Sequence, residues 1–145
     1  MHLGYRGKLI IKLHPSPDEF DPTELAHKIN PEIKIVQTGS ITTLIESCEV
    51  LIVIDVSTVI LDAQILGKPV ISVSVKDSGW GIPTVLSSKS CAVTDMDNFE
   101  FTLERLLKDE SFRNDVIQNG KKFANEYLVN QGSSSKELLN LLSKI

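Results

Sequence analysis

The stretch V-L-I-V-I-D-V-S-T-V-I-L-D-A-Q-I-L-G-K-P-V-I-S-V-S-V, Val50 to Val75, decides the fold class. Val50 to Ile54 is apolar without interruption and closes at Asp55, the pattern of a strand covered on both faces by helices. Ser57 or Thr58 then caps a helix in which Val59, Ile60, Leu61, Ala63, Ile65 and Leu66 occupy nearly every side of the cylinder, so the pattern predicts a buried helix. Gly67 ends that helix at the position where a left-handed residue is wanted, and Lys68-Pro69 leads directly into a further strand over Val70 to Val75. Strand, helix and strand joined this tightly form a parallel βαβ unit, and the fold class is α/β.

The same alternation extends in both directions. Leu9 to Leu13 predicts a first strand, stopped by His14-Pro15 because proline offers no N–H and turns the residue before it away from helix. Asp21-Pro22-Thr23-Glu24 reads as a helix start with Asp21 as cap, and the helix runs to about Lys28. Glu32 to Gln37 supplies a second strand, and Thr38-Gly39-Ser40 turns into a helix that runs through Cys48. After Val75, residues Lys76 to Lys89 carry no clean period and contain Gly79, Trp80, Gly81 and Pro83, so an excursion loop is expected there, with Trp80 either a lid or a plug over the core. Cys91-Ala92-Val93 is a short last strand. Helices starting near Asp97, Ser111 and Ser134 close the chain as a helical tail. The expected architecture is one Rossmann-like three-layer domain over residues 1–145, its mostly parallel sheet holding about five strands.

Composition bounds the function. With 145 residues, 41% of them hydrophobic, the chain is long enough to bury a core. Its formal charge is −4 and no run of three Lys/Arg occurs, which argues against a sequence-independent nucleic-acid binder. No apolar run approaches the roughly twenty residues of a membrane span. Met1 to Lys8 lacks the apolar core and cleavage site of a secretory signal, so a cytoplasmic location is expected, with membrane association at most peripheral and through a partner. Cys48 and Cys91 read as two reduced core thiols, and His2, His14 and His27 show no metal-ligand spacing, so no metal and no resident cofactor is expected.

In an open parallel sheet, ligands bind outside the carboxyl ends of the strands. That rule selects His14 after the first strand, Gly39 and Ser40 after the second, Asp55, Ser57 and Thr58 after the third, and Lys76 to Gly81 after the fourth. Two of these segments open helices, where free N–H groups and small hydroxyls suit a phosphate or diphosphate. Each residue also has a plainer explanation. Ser40 and Ser57 are good caps without any ligand, Asp55 can bond nearby amides, Gly39 can serve turn geometry, and His14 can be a satisfied rim histidine.

Two stretches, L-I-I-K-L-H-P (Leu9 to Pro15) and C-E-V-L-I-V-I-D-V-S-T-V-I-L-D-A-Q-I-L-G-K-P-V-I-S-V-S-V (Cys48 to Val75), resemble the C-terminal, donor-binding half of two-domain GT-B transferases. The nearest subgroup is the CDP-glycerol glycerophosphotransferase and capsule-polysaccharide group, with UDP-N-acetylglucosamine 2-epimerases as relatives. The resemblance implies that His14 is catalytic, at the donor's phosphates. It also implies that Asp55, Ser57 and Thr58, with Gly39 and Ser40, bind the donor diphosphate. Asp62 falls where the family places an acid that holds the ribose hydroxyls, and an acid on an otherwise buried helix would want such a partner. Family members carry an N-terminal acceptor-binding domain, and a first strand before K-L-H-P, with no counterpart in these residues. The implied partners are therefore a nucleotide-activated sugar or polyol phosphate and an acceptor-domain protein or a second copy, and the half-site alone is expected to be inactive. An epimerase-like domain and a non-catalytic nucleotide-binding module are the alternatives. A response-regulator-like fold would want acids where His14-Pro15 stands.

Overall fold

The computed structural model describes residues 7–14, 16, 20–75, 84–129 and 132–144. The chain forms two compact units, Met1–Ile41 and Thr42–Ile145. The first holds β1 (Ile10–Lys12), α1 (Thr23–Ile29) and β2 (Lys34–Val36). β1 and β2 pair in parallel with Ile11 opposite Ile35. α1 begins one residue later than anticipated, with Pro22 rather than Asp21 at the capping position; Asp21, just ahead of it, accepts the N–H and the hydroxyl of Thr23, and these bonds hold its pKa below the ordinary aspartate value.

The second unit carries α2 (Ile41–Ser47, whose first residue belongs to the other unit), β3 (Leu51–Ile54), α3 (Val59–Ile65), β4 (Val70–Ser74), α4 (Thr84–Ser87), β5 (Ala92–Asp95), α5 (Phe99–Lys108), α6 (Glu110–Tyr127) and α7 (Ser134–Leu142). Its sheet runs β3-β4-β5, all parallel. The class is α/β, as the sequence indicates. The five strands are divided between a two-stranded and a three-stranded ladder, where the sequence reading expects one sheet.

Central β4 explains the layering. Val70, Ile71, Ser72 and Val73 are all buried, so the strand is covered from both sides. On one face Ile71, Val73 and Ala92 pack with Leu106 of α5 and Val116 of α6, and Phe99, Leu103 and Phe112 close over them. From α3, Gln64 donates its amide N–H to Ser90 O at 3.2 Å and to Ser90 Oγ at 3.0 Å. The same nitrogen lies 3.7 Å from Cys91 Sγ. Helices packed on a parallel sheet make this unit Rossmann-like.

The joint between α3 and β4 behaves as its sequence requires. Gly67 takes φ +66°, a conformation that costs other residues the clash of a Cβ. Its N–H bonds Gln64 O at 3.1 Å and the next N–H, from Lys68, bonds Ala63 O at 2.8 Å, which is the paired closure of a Schellman motif. Lys68 then sends its ammonium to Glu46 O at 2.7 Å and Cys48 O at 2.9 Å, satisfying carbonyls at the end of α2. Pro69 O receives the Leu51 N–H and begins the β3–β4 ladder.

Several expectations need adjustment. The helix over 59–65 is buried along one face only, through Ile60, Ala63 and Gln64, while Asp62 and Ile65 are exposed. Part of the expected excursion loop is the one-turn helix α4; residues 76–83, with Trp80, lie outside the described residues. The third-last helix begins at Phe99 after Asp95 accepts the backbone and side-chain N–H groups of Asn98, both at 2.8 Å. The long helix α6 starts at Glu110 rather than Ser111, capped by Asp109, whose carboxylate accepts Phe112 N–H at 3.0 Å and is thereby held below its ordinary pKa.

Candidate functional site

The candidate residues divide between the two units. In the first, β1 and β2 run in parallel, so the segments after their carboxyl ends leave the ladder at the same end. His14 follows β1, is exposed, and accepts the Ser16 N–H through Nδ1 at 3.1 Å. Gly39 and Ser40 follow β2, both exposed; Gly39 has φ +100°, which explains a glycine there by turn geometry. The ends are tied together by Lys12, whose ammonium donates to Leu13 O at 2.8 Å and to Gln37 O at 2.9 Å.

In the second unit, Asp55 sits immediately after β3 with φ +54°, a left-handed conformation that aspartate tolerates better than most residues. Three bonds hold it there. Its N–H donates to Val73 O at 2.8 Å, its carbonyl accepts the hydroxyl of buried Ser72, and its Oδ1 accepts the Val75 N–H at 2.9 Å. The carboxylate therefore fixes the turn, as the plainer reading of the sequence allows, and the turn redirects the chain across the carboxyl end of the sheet. Ser57 Oγ accepts Val59 N–H at 3.4 Å, a long capping bond, and Thr58 makes no side-chain cap bond at all. Asp62 stands in the first turn of α3, exposed. Burial of its charge thus does not call for a partner, which corrects that part of the sequence argument, yet an exposed acid beside this turn is open to a ligand.

The buried polar residue of α3 is Gln64, which the sequence reading passes over. It is 1% exposed, and among the described residues its Oε1 has no hydrogen-bond partner although its nitrogen is engaged with Ser90. The Q of D-A-Q, flanked by apolar residues, is the only signal that could have flagged it. Lys12 is the other residue the reading leaves without a role; its position between two isoleucines and the His-Pro step is the corresponding clue.

Both cysteines are free thiols. Burial pushes Cys91 up to about 11, against smaller opposing bonds from Ser90 and Gln64. Burial also raises Cys48, partly offset by the nearby Lys68 ammonium. The native protein at pH 8 is therefore expected to alkylate at Cys48 well before Cys91, with both modified equally in denaturant; peptide mass spectrometry after timed exposure to iodoacetamide checks this. Equal native rates would contradict the packing of Cys91 beneath α3. Among the described residues no group of three His, Cys, Asp or Glu is arranged to hold a metal ion, and no helix is long and apolar enough to cross a membrane.

No family model matches the chain. No curated protein matches it in sequence.

Proposed function

We propose that the chain is the donor-binding part of a transferase that uses a nucleotide-activated sugar or polyol phosphate, with the acceptor side supplied by another α/β body. The observation that carries the reading is the Asp55-to-Asp62 segment. A left-handed turn, bonded on three sides, swings the chain across the carboxyl end of a parallel sheet. It leaves Ser57 and Thr58 with little internal bonding and sets exposed Asp62 one turn further on. Parallel sheets bind ligands at that end. A diphosphate suits small hydroxyls and helix-opening N–H groups, and a ribose diol suits a carboxylate that accepts two O–H bonds. The likeness of this segment and of K-L-H-P to the donor half of GT-B transferases supports the same assignment.

Calorimetry with UDP, CDP, UDP-N-acetylglucosamine and CDP-glycerol tests the reading. One base is expected to bind saturably, and Asp62→Ala is expected to weaken that binding about tenfold, equivalent to about 1.4 kcal/mol. Ser57→Ala is expected to lower affinity less, since neighbouring N–H groups still face the phosphates. Absence of binding at millimolar nucleotide, with the protein alone and with a candidate acceptor-domain protein, would refute the assignment.

A further inference from the structure

We propose that α7 is the contact through which two copies of this chain associate, its leucine face paired antiparallel with the same face of the second copy. Every residue from Ser134 to Leu142 is exposed, and Leu138, Leu139, Leu141 and Leu142 are each 57–67% exposed. At about 100° per residue, Leu138, Leu141 and Leu142 share one side of the helix and Leu139 borders it. A helix of nine residues is marginal in water by itself and holds its shape through the packing of its apolar face. No residue of α7 is buried, so that packing has to come from outside the helix's present contacts.

Charge complementarity names the second copy as the occupant. Ser143 keeps helical angles and the Lys144 N–H bonds Leu141 O at 3.1 Å, so the helical path carries on to Lys144. Glu137 and Lys144 are seven residues apart and therefore lie on one flank, beside Leu141. Among the described residues neither takes part in an ion pair. In an antiparallel pair related by a two-fold axis each flank meets its own copy, whereas a parallel pair sets it against the opposite flank. That opposite flank carries Ser135 and Leu139 and no charge. Antiparallel pairing with Leu138 of each copy opposite Leu142 of the other brings Glu137 within one residue of the level of Lys144 on the other copy, twice over. The leucines supply the attraction and the two ion pairs fix direction and register. One short helix from each copy makes a small interface, so the association belongs to the weak, concentration-dependent class.

Sedimentation velocity of the intact chain at low salt, over about 5–300 µM, tests this. The average mass is expected to rise with concentration from 16.0 kDa toward twice that value. Leu138→Gln combined with Leu142→Gln, which keeps good helix formers, is expected to stay monomeric throughout, with an unchanged thermal midpoint in dilute solution because no residue of α7 is buried. Glu137→Lys and Lys144→Glu each set like charges against each other in the antiparallel pair, and each is expected to weaken self-association about fivefold. An equimolar mixture of those two variants restores both ion pairs between unlike chains and is expected to associate as the wild type does. A mixture no tighter than either variant alone would overturn the antiparallel pairing, and association that survives the double leucine variant would overturn the role of α7. A wild type that stays monomeric at every concentration would overturn the proposal outright; binding of that monomer to vesicles of anionic lipid, lost in the double leucine variant, would assign the face to a membrane surface instead. None of these outcomes depends on whether the chain binds a nucleotide.

Discussion

Replacing Ile71 with alanine is expected to remove about 3 kcal/mol of stability, the middle of the range for deleting a large buried aliphatic side chain. Ile71 is fully buried in the central strand of the second unit, paired with Ile52 on one side and Ala92 on the other. Leu106 and Val116 from two different helices pack on it, so the cavity left by the deletion is walled by secondary structure on several sides and closes poorly. Urea unfolding followed by far-ultraviolet circular dichroism measures the loss as a lower midpoint at unchanged slope. By contrast, Ile54→Ala on the same sheet is expected to cost under about 1 kcal/mol, because Ile54 is 68% exposed. Similar losses for the two variants would mean that the face bearing Ile54 is covered and that the strand order is incomplete.

Gly120→Val is expected to destabilise the protein by about 2 kcal/mol. Glycine in mid-helix ordinarily forfeits roughly 1 kcal/mol against alanine, so its presence inside α6 asks for a reason. Close approach gives one. A Cβ at this position would lie 3.0 Å from Gln64 Cγ and 3.3 Å from the backbone oxygen of Ser90. Gln64 is held by its bonds to Ser90, and a backbone oxygen at the start of β5 moves only with the strand. The branched side chain therefore drives α6 off α3, and the midpoint of urea unfolding is expected to fall accordingly. Gly120→Val in a Gln64→Ala background is expected to recover part of that loss, since shortening the glutamine vacates the nearer contact. No recovery would locate the strain at Ser90 alone.

Much of this architecture can be read from the residues, and the reason is local. Val50 to Ile54 is too uniformly apolar for a half-wet strand, and Gly67-Lys68-Pro69 punctuates helix and strand with residues that fit few other conformations. These features depend on neighbours in sequence. What the sequence conceals depends on neighbours in space. The apolar positions of α3 suggest burial all round, but the number of elements available to cover a helix is a tertiary property, and only one side is covered. The position of Asp62 in the helix is thus legible in the sequence, and its exposure is not. Gln64 escaped notice because a polar residue among aliphatics is read as solvent-facing until Ser90, twenty-six residues away, is seen beside it. Asp109 does not stand out as the cap because Ser111, two residues later, is an equally good signal by composition. At the site, Asp55 was legible as a strand-end residue, while its left-handed backbone and its bond to Val75 were not.

Lys68 gives this chain a mechanical property as well as a structural one. One residue contributes an amide to the closing turn of α3 and an ammonium to the last carbonyls of α2, so neither helix end can fray without loosening the other. Helices of seven residues have little independent persistence in water and owe their order to such couplings. The consequence is a shared opening event. Amides in the last turns of α2 and α3 are therefore expected to exchange with solvent together, which hydrogen-exchange rates measure. This coupling sits at the amino end of β3, the opposite end from the turn at Asp55.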